Sequence, residues 1–224
     1  MTQITYHLAH LIERVARAAE HSGRAASSVT IIAVSKQQPS TAIAAVHRGG
    51  LDHFGESYVQ EALPKIAEVS DPSITWHFVG KMQANKTRQV AEAFDWVHTV
   101  DRLKIAERLN EQRSAFAAPL NVLIQVNQGS EEQKGGVQPE LVAELARAIE
   151  RLPRLKLRGL MTLPPHSGSP AHWFEHLAAL RTQLERDGIA LDSLSMGMSA
   201  DFEQAIAAGA THVRIGTAIF GSRA

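Results

Sequence analysis

The 224-residue chain contains no cysteine, and its formal net charge at pH 7 is zero. Without cysteine there is no disulfide framework and no thiolate site for zinc or redox chemistry. The absence of disulfides is typical of proteins in a reducing cytosol. The balanced charge gives no overall attraction to nucleic acid or to anionic membranes. No apolar run approaches the roughly 20 residues that span a bilayer, and the opening MTQITYHLAHLIERVARAAEHSG does not resemble a signal peptide. We therefore expect a cytoplasmic protein that binds neither nucleic acid nor membrane.

What the sequence does contain is a regular alternation of short apolar strands and amphipathic helices. An N-terminal helix is predicted first, because its apolar residues recur at steps of three and four: Ile4, Leu8, Leu11, Ile12, Val15 and Ala19. Strands are predicted at 30–36, 51–56, 75–80, 95–100, 121–127, 156–163, 194–198 and 212–220. Strands that alternate with helices form βαβ units and a parallel sheet.

Eight such units in a chain of this length favour a closed (β/α)8 barrel, a TIM barrel, with an additional N-terminal helix. The alternative is an open, doubly wound sheet. No shift in composition divides the chain, so residues 1–224 are predicted to form a single domain.

Lys36 follows the strongly apolar residues 31–34 at the end of the first predicted strand. In a barrel its side chain would enter the mouth formed by the carboxyl ends of the strands. Burial favours the neutral form of an amine, and a neutral amine can form a Schiff base with a carbonyl. A solvated lysine at a strand end is the plainer interpretation.

The last two strands are followed by features that suit an anion. Ser199 precedes a helical run as a candidate N-cap, and Gly216 and Thr217 follow the core of the last strand. The loops after strands seven and eight are the recurrent phosphate site of this barrel class. Strand eight neighbours strand one in a closed barrel, so one ligand could reach both the phosphate loops and Lys36. Pyridoxal 5′-phosphate (PLP) has the required aldehyde and phosphate; a sugar phosphate acted on by an unrelated barrel enzyme is an alternative.

Six stretches resemble the pyridoxal phosphate homeostasis proteins, which are similar in fold to the N-terminal barrel of alanine racemase. They are AVSKQQP, HFGESYVQEALPKI, WHFVGKMQANKTR, QVNQGSEEQKGGV, LRGLMTLPP and LSMGMSADFEQAIAAGATHVRIGTAIFG. The resemblance runs from about residue 31 to the C-terminus, and the last stretch is the most specific.

The resemblance implies a PLP-binding protein with the cofactor attached to Lys36. It also implies phosphate contacts from Ser199, Gly216 and Thr217, Met198 beside them, and Arg214 facing the pyridine nitrogen. One departure concerns Ser57: family members commonly read FGEN where this chain reads FGES. Serine is shorter than asparagine and offers fewer hydrogen bonds, so the pocket is expected to be looser there.

The resemblance leaves two functions open: a PLP carrier and an amino-acid racemase. In the racemases a tyrosine from a separate C-terminal β domain supplies the second base, and we expect no such domain here. The two tyrosines are Tyr6, in the first helix, and Tyr58, after strand two. An arginine beside the pyridine nitrogen also disfavours its protonation and weakens the ring as an electron sink. We therefore expect a carrier without catalytic residues that passes PLP to apo PLP-dependent enzymes. The resemblance also implies a monomer.

Three further motifs can each be interpreted in more than one way. HWFEH, residues 172–176, matches an inverted zinc-protease pattern but lacks a further acidic ligand, so no metal site is predicted. GKMQANKTR, residues 80–88, is basic and should reach the rim as an anion contact, a partner surface or a solvated helix start. GSEEQKGG, residues 129–136, is either a mobile lid or an ordinary loop.

Overall fold

Eight parallel strands close into one barrel in the computed structural model, which describes residues 3–129, 135–165 and 168–221. The strands pair in chain order, and β1 closes the barrel against β8 with Thr30 opposite His212. Their bounds are β1 Thr30–Val34, β2 His53–Glu56, β3 Thr75–Phe78, β4 Trp96–Val100, β5 Leu120–Val126, β6 Leu155–Thr162, β7 Ser193–Ser195 and β8 His212–Ile215. The predicted (β/α)8 barrel is confirmed.

Helices precede, connect and follow the strands. They are α1 Gln3–His21, α2 Ser40–Arg48, α3 Val59–Val69, α4 Thr87–Ala93, α5 Leu103–Gln112, α6 Val142–Glu150, α7 Pro170–Arg186, α8 Phe202–Ala207 and α9 Thr217–Phe220. Short 3-10 turns occupy Ala26–Ser28, Ala84–Lys86 and Pro139–Leu141. The predicted stripe of α1 is largely confirmed: Leu8, Leu11, Val15 and Ala19 are buried, whereas Ile12 is exposed. No helix among the described residues is both long and apolar enough to cross a bilayer.

The two faces of the barrel wall bury different side chains. Because successive residues of a strand point to opposite faces, Val97 packs outward against the helices while Trp96 and His98 point inward. An irregularity in the pairing of β4 with β5 between Val97 and Val100 returns Val100 to the outer core. A small apolar cluster of Trp96, Leu123 and Met161 is separate from the main core. The remaining inward positions of several strands carry polar groups.

The eighth strand ends earlier than predicted. It was expected to span residues 212–220, but it stops at Ile215, and Thr217–Phe220 form the short helix α9. In this helical conformation Ile219 is completely buried in the main core, and its carbonyl lies 3.4 Å from His7 Nδ1 on α1. The apolar run therefore continues as a helix because α1 covers the end of the barrel there.

Candidate functional site

One cavity of about 340 Å³ at the mouth of the barrel brings together all seven predicted site residues. Its polar wall consists of Lys36, Ser57, Ser199, Arg214, Gly216 and Thr217, with Met198 at the rim. Val34, Val79, Leu163 and Ala200 complete the lining. Segments far apart in the sequence thus meet at the carboxyl ends of β1, β2, β7 and β8.

Lys36 was predicted to be the last residue of the first strand. It lies instead two residues beyond the end of β1. It is half-buried, and the next residue, Gln37, has a left-handed backbone with φ of 62°. A non-glycine residue in this region is held there by its surroundings. The backbone N–H of Ser35 donates to the Gly55 carbonyl at 2.9 Å, and the N–H of Gln37 donates to the Glu61 carboxylate. Both neighbours of Lys36 are therefore tied to β2 and α3.

A buried ionic cluster supports this turn from the outer side of the strands. Lys65 Nζ donates to the Ser35 carbonyl at 2.8 Å, to Glu56 Oε1 at 2.9 Å and to Glu61 Oε1 at 2.5 Å. The hydroxyl of Ser35 also donates to Glu56 Oε1, at 2.7 Å. Burial raises the pKa of Glu56, whose Oε2 has no hydrogen-bond partner among the described residues. Sequence reasoning missed this cluster, because Lys65 and Ser35 are brought together by the fold.

The wall beside β7 and β8 supplies two hydroxyl groups. Ser199 was predicted to cap the following helix, but α8 begins at Phe202 with Asp201 at the N-cap position. Asp201 accepts a hydrogen bond from the Met198 N–H at 2.6 Å and so orders the loop before the helix. Ser199 is left on the cavity wall, where its Oγ accepts from the Ala218 N–H at 3.3 Å. Thr217 is exposed at the same edge.

Arg214 reaches the cavity from inside the barrel. It is only 5% exposed, and it donates from Nη1 to Ser195 Oγ at 2.7 Å and from Nη2 to the Thr162 carbonyl at 2.9 Å. Burial lowers the pKa of Arg214 to about 10, so its guanidinium remains charged at neutral pH. These two bonds use two of its five N–H donors, and the others can serve a ligand.

Ser57 is held at the rim by an unusually close contact between two loops. A Cβ atom on Gly80, which follows β3, would lie 2.0 Å from the Ser57 carbonyl oxygen. Only glycine permits this approach. Ser57 also lines a second cavity of about 500 Å³, together with Lys36, Tyr58, Lys81 and Lys86. The basic stretch after strand three therefore reaches the rim, as predicted.

The other two motifs are HWFEH and GSEEQKGG, of which the structure describes the first completely and the second in part. His172 and His176 lie on α7 with ring centroids 4.1 Å apart. No group of three or more histidine, aspartate or glutamate side chains in the described ranges could hold a metal ion. Residues 130–134, the middle of the stretch expected to be either a lid or an ordinary loop, lie outside the described residues.

Known proteins resemble this chain over nearly its whole length. The alanine racemase N-terminal domain model matches residues 6–224. A pyridoxal phosphate homeostasis protein of Pseudomonas aeruginosa is 50% identical over 223 residues, covering 100% of this chain and 97% of the relative. Its Escherichia coli K12 counterpart is 48% identical over 233 residues, covering 100% and 98%.

Solved structures give the same result. PipY of Synechococcus elongatus, solved with PLP bound, superposes with a TM-score of 0.86 at 36% identity, covering 98% of this chain and 100% of PipY. Alanine racemase of Clostridium difficile has a TM-score of 0.74 at 15% identity, with 96% of this chain matching 56% of the racemase, which shows a shared fold only. The chain thus belongs to the pyridoxal phosphate homeostasis protein family, which has the alanine racemase N-terminal barrel fold.

Proposed function

We propose that this protein binds PLP in the 340 Å³ cavity, through a Schiff base on Lys36, and serves in PLP homeostasis as a carrier. The observation that carries the proposal is the composition of a single cavity wall. It combines an amine, three hydroxyls and a charged guanidinium. PLP offers matching groups: an aldehyde, a phosphate and a pyridine nitrogen.

Lys36 is the residue we assign to the aldehyde. The turn around it is tied at Ser35 and Gln37, which fixes the backbone from which its side chain enters the cavity. Such restraint favours attack on a bound carbonyl, because less orientational freedom is lost when the bond forms. Lys81 and Lys86 line only the adjoining cavity and serve as comparison residues.

Ser199, Thr217 and Gly216 are assigned to the phosphate, with Met198 beside them. Hydroxyl donors make strong hydrogen bonds to an anionic oxygen, and glycine lets the backbone approach closely. A Cβ on Gly216 would lie 3.5 Å from the Val34 carbonyl, so this glycine also packs against the end of β1. Ser57 is assigned to the rim of the site, where it takes the place of the asparagine common in relatives.

Arg214 is assigned to the pyridine nitrogen. When PLP chemistry removes an α-proton, the pyridine ring accepts the electron density that is left behind. Protonation of the ring nitrogen makes the ring a better acceptor. A charged guanidinium can only donate, so the nitrogen beside it would accept and remain unprotonated. This arrangement favours holding the cofactor over turning over amino acids.

Two further observations support a carrier over a racemase. Among the described residues that line the cavity there is no tyrosine, histidine or carboxylate to act as a base opposite Lys36. Tyr58 lines the adjoining cavity and is 58% exposed. The P. aeruginosa and E. coli relatives are named homeostasis proteins. As parts of the same proposal, residues 1–224 act as one domain, and the protein is a cytoplasmic monomer that delivers PLP to apo-enzymes.

Borohydride reduction followed by mass analysis tests the attachment. Wild-type protein mixed with PLP should gain one reduced cofactor on the peptide that contains Lys36. Lys36→Ala should gain none, whereas Lys81→Ala should behave like wild type. A Lys36→Ala protein that is modified in full yield would move the attachment to another lysine.

A second experiment separates carrier from racemase. PLP-loaded protein is mixed with L- and D-alanine in deuterated water and, in parallel, with a PLP-dependent apo-enzyme. Little exchange of the α-proton is expected over hours, while the apo-enzyme gains activity. Exchange near the roughly 10 per second of a median enzyme would instead establish the racemase-like activity.

A further inference from the structure

A chain of buried polar side chains crosses the inside of the barrel and ends at Arg214. Ser195 Oγ, which accepts from Arg214, lies 2.8 Å from His98 Nδ1. His98 Nε2 lies 2.9 Å from His77 Nδ1, and His77 Nε2 lies 2.9 Å from His53 Nδ1. Ser195, His98 and His77 are completely buried. Four bonds therefore connect β8 through β7, β4 and β3 to β2.

These residues are inward-facing where a barrel of this class usually carries branched apolar side chains. On β3 the neighbours of His77, Trp76 and Phe78, belong to the outer core, so His77 points inward. On β4 His98 alternates in the same way with Val97. A buried polar group that lacked partners would be costly, and here each group meets the next.

The direction of the chain is set at Ser195. Arginine only donates, so Ser195 Oγ accepts from Arg214. The other side-chain partner that the described residues give this hydroxyl is His98 Nδ1, and the hydroxyl hydrogen is satisfied only if it is donated there. Burial keeps the pKa of His98 and His77 well below the ordinary value, so each is neutral with one donor and one acceptor nitrogen. His98 then donates from Nε2 to His77, and His77 donates from Nε2 to His53.

We propose that Ser195, His98, His77 and His53 form a one-directional hydrogen-bond chain that positions Arg214 for the pyridine nitrogen of the cofactor. This inference rests on the proposed PLP site. Ser195 presents a lone pair to Nη1, and its hydroxyl is kept in that orientation by His98. The Thr162 carbonyl holds Nη2, so the guanidinium plane is fixed at two points. The members of the chain are positioning residues, since Arg214 alone would contact the ligand.

The direction can be tested on the wild-type protein without ligand. In protein labelled with ¹⁵N-histidine, NMR should show His77 and His98 as Nε2–H tautomers near neutral pH. A proton on Nδ1 of either ring would reverse the chain and overturn the proposal. This result does not depend on whether the protein binds PLP.

The positioning role is tested with Ser195→Ala and two probes, PLP and its analogue with carbon in place of the pyridine nitrogen. Ser195→Ala should weaken PLP binding about tenfold, the scale of one hydrogen bond to a charged group, and should leave the affinity for the analogue nearly unchanged. Ser195→Thr, which keeps the hydroxyl, should recover PLP affinity. Ser193→Ala is the matched control, because Ser193 is buried on the same strand but bonds to Asp192.

If Ser195→Ala lost the same factor in affinity for PLP and for the analogue, Ser195 would have a structural role only, and the proposed positioning role would be wrong. That outcome is distinct from failure of the proposed function. If wild-type protein formed no borohydride-reducible link to PLP, the assignment of the cofactor site would fall, whatever direction the NMR measurement gave for the chain.

Discussion

Lys36 and Lys65 are both held against the turn that follows β1, but their surroundings differ completely. Lys65 is buried on the outer side of the strands, where its Nζ donates to three oxygen atoms. Lys36 lines the cavity at the barrel mouth, beside hydroxyl groups and a guanidinium. A lysine whose three donors are already used is a structural cation. The role of a lysine is therefore determined by the groups that surround its Nζ, and not by the residue type alone.

The same contrast separates the mouth from the layer beneath it. Below the mouth, Glu56 on the outer side of the strands bonds to Lys65, and His98 inside the barrel bonds to His77; both side chains are sealed from solvent. Those at the mouth, such as Ser199 and Thr217, face a cavity. Apart from Ser195, which bonds directly to Arg214, substitutions in the lower layer should therefore reduce stability, whereas substitutions at the mouth should reduce ligand binding.

The largest effect is expected from Lys65→Met. It leaves the carboxylate of Glu56 buried without its cation, and breaking a buried pair in this way costs about 3–5 kcal/mol. Lys36→Met should change the free energy of unfolding by only about 1 kcal/mol or less. Urea unfolding of the ligand-free proteins measures both values. The double variant Lys65→Met with Glu56→Gln should recover part of the loss; similar losses for the two lysines would erase the contrast between them.

A smaller effect, on binding rather than folding, is expected from Ser199→Ala. A hydrogen bond to a charged oxygen contributes about 1.5–3 kcal/mol, so PLP affinity should fall at least tenfold. Thr217→Val should act in the same direction. Pyridoxal, which lacks the phosphate, should bind both variants with the affinity it has for wild type. The control variant Thr182→Val, on α7, should bind PLP and pyridoxal with unchanged affinity. Equal losses for PLP and pyridoxal would place the phosphate elsewhere.

Features that depend on neighbouring residues could be predicted from the sequence, whereas contacts between residues far apart in the chain could not. The eight strands follow from local patterns of apolar residues, and the seven site residues follow from motifs at strand ends together with the family resemblance. The Lys65 cluster joins residues 30 positions apart, and the histidine chain joins residues 97 apart. No local pattern specifies such pairs.

The errors have the same origin. Serine is a common N-cap residue, so Ser199 was predicted to cap the helix, but Asp201 occupies the N-cap position. Residues 217–220 have the apolar character of a strand, yet burial of Ile219 beside α1 makes them helical. In both places a tertiary contact overrides a local preference. The inward alternation of His77 and His98 was, however, readable in TWHF and WVHTV once the barrel was accepted.

Acid should destabilise the layer beneath the mouth. Burial lowers the pKa of His212 from 6.5 to about 4, so below pH 6.5 the unfolded chain binds a proton that the folded chain does not. Its contribution is complete above pH 6.5 and is lost as the pH falls toward 4, by about 2 kcal/mol at pH 5. His212→Met should reduce the loss of stability between pH 7 and 5 by that amount. His176→Gln, on the exposed face of α7, should leave the pH dependence as it is.

The smallest effect, and a gain, is expected at Ser57. The serine lines both cavities at the mouth, and Gly80 packs against its carbonyl, so the backbone there is fixed while the side chain faces the site. Ser57→Asn lengthens that side chain and adds an amide donor, and one net hydrogen bond contributes about 0.5–1.5 kcal/mol. PLP should therefore dissociate from the variant several-fold more slowly, with little change in the free energy of unfolding of the ligand-free protein. The dissociation rate is measured by trapping released PLP with an excess of apo-enzyme. Faster release from Ser57→Asn than from wild type would show that the shorter side chain is the better fit to this mouth, and that the family asparagine needs neighbours this chain does not provide.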